Sequence, residues 1–418
     1  MRSGILIGNV ILFLALAGCV TAPPPASPTS YPPPPISPSS LPPASPTVTA
    51  AKATASSSAS TPTAIPSATL TLPSTPTATS TAPTMSPAST STVTPTRSPP
   101  TGRIAFIVDG DSLYTVNADG SALTRLIDWP ASIVVETLWS LDGRRIFFLS
   151  DSGGAHGMPS LYRLDVGTGT LTRLTNDPYF NNEMALSPQG DRIAYISDRK
   201  EGRDIYILDL RTGGLHRLVK DDLSDKWYPT WSPSGQQIAF LAWHTDDNYN
   251  DLYVVTSDGN HEMRVANAAI VSGKPTWSPD GTRLAVTVVQ DGKYDIYVAR
   301  SDGSDFSPLT HDGTGGGSLA WSPDGSQIVF ERIDGMHLVQ VSDGRQTQLT
   351  IEPPIRNPIT MEPLWSPDGT HIAFVSQRDG GDAERQELYV MNSDGSDVTR
   401  LTFNLGYGLL DSISWHSP

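Results

Sequence analysis

Residues 275–283 read Pro-Thr-Trp-Ser-Pro-Asp-Gly-Thr-Arg, and the five letters at their centre decide the fold. Trp-Ser-Pro-Asp-Gly returns at Trp321–Gly325 and at Trp365–Gly369. Related forms begin at Trp139 (WSLDG), Leu186 (LSPQG), Trp231 (WSPSG) and Trp415 (WHSP). The spacings between first letters are 47, 45, 46, 44, 44 and 50 residues. A period near 45 is the mark of a repeat architecture. Ser-Pro-Asp-Gly is turn chemistry: Pro pre-sets φ, Asp tolerates the second central position and Gly supplies a left-handed residue. The phrase therefore reads as a hairpin turn leaving a strand that ends in Trp, whose flat ring fills the wedge between neighbouring repeats. It is architecture, not a catalytic site.

The rest of each period follows one grammar. A short apolar run comes after the turn: IFF, IAY, IAF, LAV, IVF or IAF. A second run is built on Leu/Ile-Tyr, as in Leu161-Tyr162 and Ile205-Tyr206. A Gly-containing turn leads to a third run near Arg-Leu-Thr, as in Arg173–Thr175 and Arg400–Thr402. Runs rich in β-branched and aromatic residues, bounded by Gly, Asp, Ser and Pro, are strands. Four antiparallel strands in about 45 residues make a propeller blade, so the fold class is all-β. The repeats begin at Arg103 inside a blade and end at Ile413–His416 with an inner strand alone. Joining the two ends closes a seven-bladed ring and removes the free sheet edges that template aggregation.

Trp-Ser-Pro-Asp-Gly followed by Ile-Ala-Phe, Ile-Tyr and Arg-Leu-Thr resembles the TolB-type propeller repeat, also called PD40, over residues 101–418. The resemblance implies a periplasmic or cell-surface interaction module. TolB proteins belong to the Tol-Pal envelope machinery and bind a peptidoglycan-associated lipoprotein. They have six blades, which stands as the alternative count, and a small α/β domain ahead of the propeller. Here a Pro/Thr/Ser-rich segment stands in that place, so the resemblance implies the fold and not the TolB partner set. Similar repeats form the propellers of prolyl oligopeptidases and tricorn-type proteases. The repeats run to Trp415, near the end of the sequence read, so the expectation is a propeller without their hydrolase domain.

The N-terminal segment speaks for export. Ile5–Ala17 is an apolar run too short to span a bilayer comfortably and suited to a signal peptide. Leu16-Ala17-Gly18-Cys19 resembles the bacterial lipobox, and Cys19 is the only cysteine. The expectation is a signal peptide over 1–18 and a diacylated Cys19 that anchors the protein to the membrane, on the periplasmic or extracellular side. Residues 19–100 form a linker of Pro, Thr, Ser and Ala. It holds all 21 prolines of the first 100 residues, and those residues contain no Asp or Glu. Such a composition cannot bury enough apolar surface to offset ordering, and reads as a disordered stalk. All 43 acidic residues but only 25 of the 28 basic ones lie beyond residue 100. Nucleic acid, which demands clustered Lys and Arg, is excluded as a partner, and the head is expected to be monomeric.

Candidate binding residues follow from the loops. Connections from second to third strand, and from blade to blade, share one face and vary in length: SDSGGAHGMPS, AWHTDDNYND, TNDPYFNN, KDDLSDKW. Variable loops on a rigid scaffold carry function. Their aromatic residues are Trp129, Tyr179, Phe180, Trp227, Tyr228, Trp243, Tyr249, Phe403 and Tyr407, the expected anchors for an envelope protein or glycan. Glu136, Glu183, Lys274 and Glu362 stand three residues before a motif's first letter, and Asp411 one place earlier than that. They should line the mouth of the central channel, where an oxygen-rich ring suits Ca2+, although no cofactor is required. No zinc-type histidine spacing and no Gly-x-Ser-x-Gly elbow occurs. The leading reading is a non-catalytic binding module. The alternative is a metal-dependent lyase or glycosidase-like enzyme of an extracellular polysaccharide, with His156 and His244 as first suspects.

Overall fold

The chain divides into two units, Met1–Thr90 and Ser91–Pro418. The computed structural model describes residues 99–418, apart from 130–131, 154–156, 201, 220–224, 245–248, 267–269, 333, 351–362, 380–385, 404, 406–409 and 418. The signal peptide, Cys19 and nearly all of the linker lie outside the described residues.

Seven four-stranded antiparallel sheets follow one another. Six are built from consecutive strands. The remaining one, blade 1, joins Arg103–Val108, Ser112–Asn117 and Thr124–Asp128 to the inner strand Leu410–His416, so the ring closes as the repeat count requires. Ile104 pairs with Trp415 and Phe106 with Ile413 across that seam. The inner strands of blades 2–7 are Val134–Trp139, Asn181–Leu186, Asp225–Trp231, Ile270–Trp277, Gly315–Trp321 and Leu364–Trp365.

The core lies between blades. Second and third strands are buried on both faces because each sheet is sandwiched by its neighbours, and they read as near-continuous apolar runs. Ile238, Ala239 and Phe240 are fully buried, as are Ile328, Val329 and Phe330. The aromatic residues of the first apolar run and of Leu/Ile-Tyr stack within their own sheet, with ring centroids 5.6 Å apart for Phe148–Tyr162, Phe240–Tyr253 and Phe374–Tyr389.

The repeated turn is a closed hydrogen-bond unit. In blade 5 Ser278 Oγ donates to Asp280 at 2.6 Å and accepts the Arg283 N–H at 2.9 Å, while Asp280 accepts the Thr282 N–H at 3.0 Å. Blade 6 repeats the set through Ser322, Asp324, Gln327 and Ser326. Gly281 has φ of 70° and Gly325 of 71°. Trp231, Trp277, Trp321 and Trp365 each donate their indole N–H to a carbonyl of the preceding blade, Ala185, Thr230, Thr276 and Ala320, at 3.1, 3.1, 3.1 and 3.2 Å. The Trp is thus both wedge and staple. Leu186 has no N–H for this purpose. Trp139 sits instead under Arg103 and against His416, at 5.6 and 5.8 Å, with its buried Nε1 unpartnered.

The mouth of the propeller: a candidate functional site

Much of the polar chemistry shared by the repeats is used up inside the fold. The Thr that ends the third run accepts a backbone N–H from the third strand: Thr175 from Leu161, Thr310 (in Ser-Pro-Leu-Thr) from Ile296, and Thr402 from Leu388, at 3.0, 2.9 and 3.0 Å. The Arg reaches the residue that precedes Ile/Leu-Tyr. Arg217 meets Asp204 at 2.6 Å, Arg264 meets Asp251 at 2.8 Å, and Arg173 donates to Ser160 at 2.9 Å. Lys226, fully buried, joins the first of these pairs, with Nζ 3.3 Å from Asp204. Burial pushes the Asp204 carboxyl up, and the two cations pull it back.

Two of the predicted channel-mouth residues, Glu136 and Glu183, prove to be links between blades, together with Ser412, the neighbour of Asp411. Glu136, Glu183, Tyr228 and Ser412 have φ of 52°, 49°, 54° and 48°. That left-handed conformation is costly for residues other than glycine. At each of them the inner strand skips a place in its ladder. The freed side chain then reaches the next blade. Ser412 accepts the Thr137 N–H at 2.9 Å, Glu136 accepts the Met184 N–H at 2.6 Å, and Glu183 accepts the Tyr228 N–H. A belt of hydrogen bonds therefore runs from blade 1 to blade 4. Glu183 is buried, and burial pushes its carboxyl up to about 7. Glu136 adds to that rise, while the Tyr228 N–H, Lys274 and Arg203 oppose it.

Lys274 is exposed at the corresponding place in blade 5. Glu362 lies outside the described residues, and so does the side chain of Asp411. Among the described residues no group of three or more His, Cys, Asp or Glu stands close enough to hold a metal ion.

The predicted aromatic residues divide by their packing. Trp129 packs on Phe148 and Tyr162, with centroids 5.9 and 5.7 Å away. Trp227 and Tyr228 lie half-buried against the apolar cluster shared by blades 4 and 5. Trp243 is half-buried on the second strand of blade 4, opposite Asp225. Phe180 is half-buried, its N–H held by Asp198 at 2.7 Å. Tyr179 and Phe403 are exposed, and each lies beneath an arginine, Arg199 at 5.5 Å and Arg400 at 4.7 Å. Tyr407, His156 and the side chains of Tyr249 and His244 lie outside the described residues.

Two residues escaped the sequence reading. Tyr294, at the tip of the blade 5 hairpin, is an exposed aromatic on the variable face. The Arg203 guanidinium carbon lies over the Trp227 ring of the next blade, 3.9 Å from its centroid, the closest cation–aromatic approach among the described residues. Tyr294 was legible in principle as an aromatic beside Asp291-Gly292. Arg203 was not, because its partner stands on another blade. The larger of the described clefts, about 560 Å³, runs between blades 5 and 6 past His311 and Asp343, and contains none of the predicted residues.

Comparison with known proteins agrees with this architecture. The model of the TolB beta propeller domain (PD40) matches residues 75–268 and 227–335. An uncharacterized protein of Agrobacterium fabrum is 28% identical over 290 residues, covering 66% of this chain and 79% of that one. The Tol-Pal system protein TolB of Francisella tularensis is 40% identical over 83 residues, a stretch that covers 19% of this chain and 18% of that protein. Among solved structures, an oligogalacturonate lyase in complex with manganese superposes with a TM-score of 0.56 at 17% identity, over 67% of this chain and 82% of that one. That likeness is one of fold. The repeats, the seven closed sheets and the family match together place this chain in the TolB β-propeller (PD40) family.

Proposed function

We propose that this protein is a non-catalytic interaction module of the cell envelope. The propeller binds an envelope protein or glycan through its variable face. A lipidated Cys19 and the Pro/Thr/Ser-rich stalk hold it off the membrane, on the periplasmic or extracellular side. One observation carries the reading. The motif Trp residues of blades 2 and 4–7 are only 7–8% exposed, whereas Tyr179, Tyr294 and Phe403 are 36%, 41% and 63% exposed, all on variable-face connections. Exposed aromatic residues on a rigid scaffold are interface anchors. The match to a protein named for the Tol-Pal system supports the envelope setting.

The test is affinity capture from solubilised envelope with the full chain as bait. A variant carrying Tyr179→Ser, Tyr294→Ser and Phe403→Ser should lose the captured component. A control carrying Leu123→Ser and Leu141→Ser, exposed residues of the opposite face, should keep it. Equal retention by both variants would remove the variable face as the site.

A further inference from the structure

The seam between blades 1 and 2, on the face of the repeated turns, departs from the repeat. In blades 3 and 5 the arginine that opens the second strand lies over the motif Trp of the next blade, Arg192 over Trp231 at 4.7 Å and Arg283 over Trp321 at 5.1 Å. Each also donates to the carbonyl of that blade's turn glycine, Gly235 at 3.3 Å and Gly325 at 3.5 Å. The Trp donates its indole N–H back to the preceding blade. Arg103 holds the same place over Trp139, but it donates to Thr115 of its own sheet at 3.3 Å, and the buried Trp139 Nε1 has no acceptor. The turn of blade 2 is altered too. A Cβ on Gly281 or Gly325 would meet a proline of the preceding blade at 3.5 Å, whereas one on Gly143 would run into the His416 ring at 2.2 Å. At this seam lies a cleft of about 380 Å³, lined by Arg103, Gly143, Arg144, Asp165, Val166 and Gly167. That volume is in the range that takes a small molecule. The acids around it are spent on their own turns. Asp165 accepts the N–H and the hydroxyl of Thr168, both at 3.1 Å, and Asp142 accepts the Ser140 hydroxyl at 2.6 Å and the Arg144 N–H at 3.1 Å. Arg103 and Arg144 form no ion pair among the described residues, although acids beyond residue 100 outnumber bases 43 to 25.

We infer that this cleft binds a small phosphate ester, its phosphate held between the guanidinium groups of Arg103 and Arg144. The two arginines belong to different blades and line the cleft from its two sides. A carboxylate is planar and one guanidinium fork satisfies it, whereas a tetrahedral phosphate offers oxygens to both forks. The space left over takes the group that the phosphate esterifies. The site stands apart from the variable face and does not depend on the reading of that face as a binding surface.

The experiment uses the full chain in an uncharged detergent and follows the phosphorus NMR linewidth of two soluble esters. Glycerol phosphate represents a free monoester, and glycerophosphoglycerol represents the diester of a phospholipid headgroup. At least one of them should broaden, and the one that binds more tightly identifies the source. Glycerate, which carries a carboxylate in place of the phosphate, should compete weakly. Arg103→Gln and Arg144→Gln should each weaken binding about tenfold, and Arg144→Lys should weaken it less than Arg144→Gln, because the charge remains and the fork is lost. Arg144 is exposed, so its variant leaves the fold intact and keeps the test decisive if Arg103→Gln lowers stability. Arg211→Gln removes the same charge from an exposed side chain of blade 3 and should leave binding unchanged. Absence of broadening by either ester, indifference to both cleft substitutions, an equal loss with Arg211→Gln, or competition by glycerate as strong as by the ester itself would overturn the inference. Envelope capture should be unaffected by Arg144→Gln, so failure here and failure of the binding-module reading are separate results.

Discussion

Glu183 shows how far one residue can depart from its apparent role. By position it belongs to an acidic ring at a channel mouth. Its left-handed backbone and its bond to Tyr228 make it a joint between blades 3 and 4. Nothing in the sequence states the sign of φ or the distance to a backbone N–H on another blade, so this role was hidden. The motif Trp, in contrast, was legible as a wedge because large flat residues at a fixed period need a repeated cavity. Two outcomes follow. Burial raises the Glu183 carboxyl to about 7 against the facing charges of Lys274 and Arg203, with Glu136 beside it. Between the ordinary value of 4.5 and about 7 the unfolded chain releases a proton that the folded chain keeps, so stability falls as pH rises through that window. The fall should be about 3 kcal/mol. Urea unfolding of the wild type at pH 4.5 and 7.5 should show it and Glu183→Gln should not; identical slopes in the two proteins would contradict the assignment. Trp277→Phe strands the Thr230 carbonyl and should cost about 1–2 kcal/mol by the same method.

At the scale of the element, the hairpin turn was the most legible feature, because its chemistry is local. Pro, Asp and Gly each have one reason to stand where they do, and the structure adds only the Ser hydroxyl that ties the turn's two ends. Gly281 separates two costs. A Cβ there would meet Pro233 of the preceding blade at 3.5 Å, an ordinary contact, but φ stays at 70°. The penalty of Gly281→Ala is therefore conformational, about 1–2 kcal/mol, and an Asn at the same position should recover part of it. Equal losses for Ala and Asn would point to crowding instead. Asp280 is held down to about 2, first by the Ser278 hydroxyl and then by the Thr282 N–H. The turn's contribution is present above the ordinary carboxylate range and is lost as pH falls through about 2. The strand 2–3 hairpins were legible as strands but not in reach. Those of blades 3, 4 and 5 run to 8 or 9 residues a strand, against 6 in blades 1, 2, 6 and 7. They raise Arg203, Trp243 and Tyr294 on one side of the ring, an asymmetry that repeat counting cannot see.

Over the whole propeller, the closure of the ring follows from phase alone. Repeats that open on a second strand and finish on an inner strand have one way to leave no edge, and the pairing of Arg103–Val108 with Leu410–His416 realises it. Deleting 410–418 should expose the first strand as an edge and make the protein associate into larger species, visible by size-exclusion chromatography. A monomeric deletion variant with unchanged unfolding would show that the seam is dispensable. The site was less legible than the ring because it depends on neighbours in different blades, as in Arg203 over Trp227. The central claim is a division of labour: the repeated residues hold the ring, and the variable face binds. Its most direct test measures urea stability and envelope capture on two full-length variants, Ser322→Ala and the Tyr179/Tyr294/Phe403 to Ser triple. Ser322 carries the blade 6 turn, so its variant should lose about 1–2 kcal/mol and capture as the wild type does. The triple variant should keep wild-type stability and lose capture. The reverse pattern, or a loss of capture in proportion to stability in both, would contradict it.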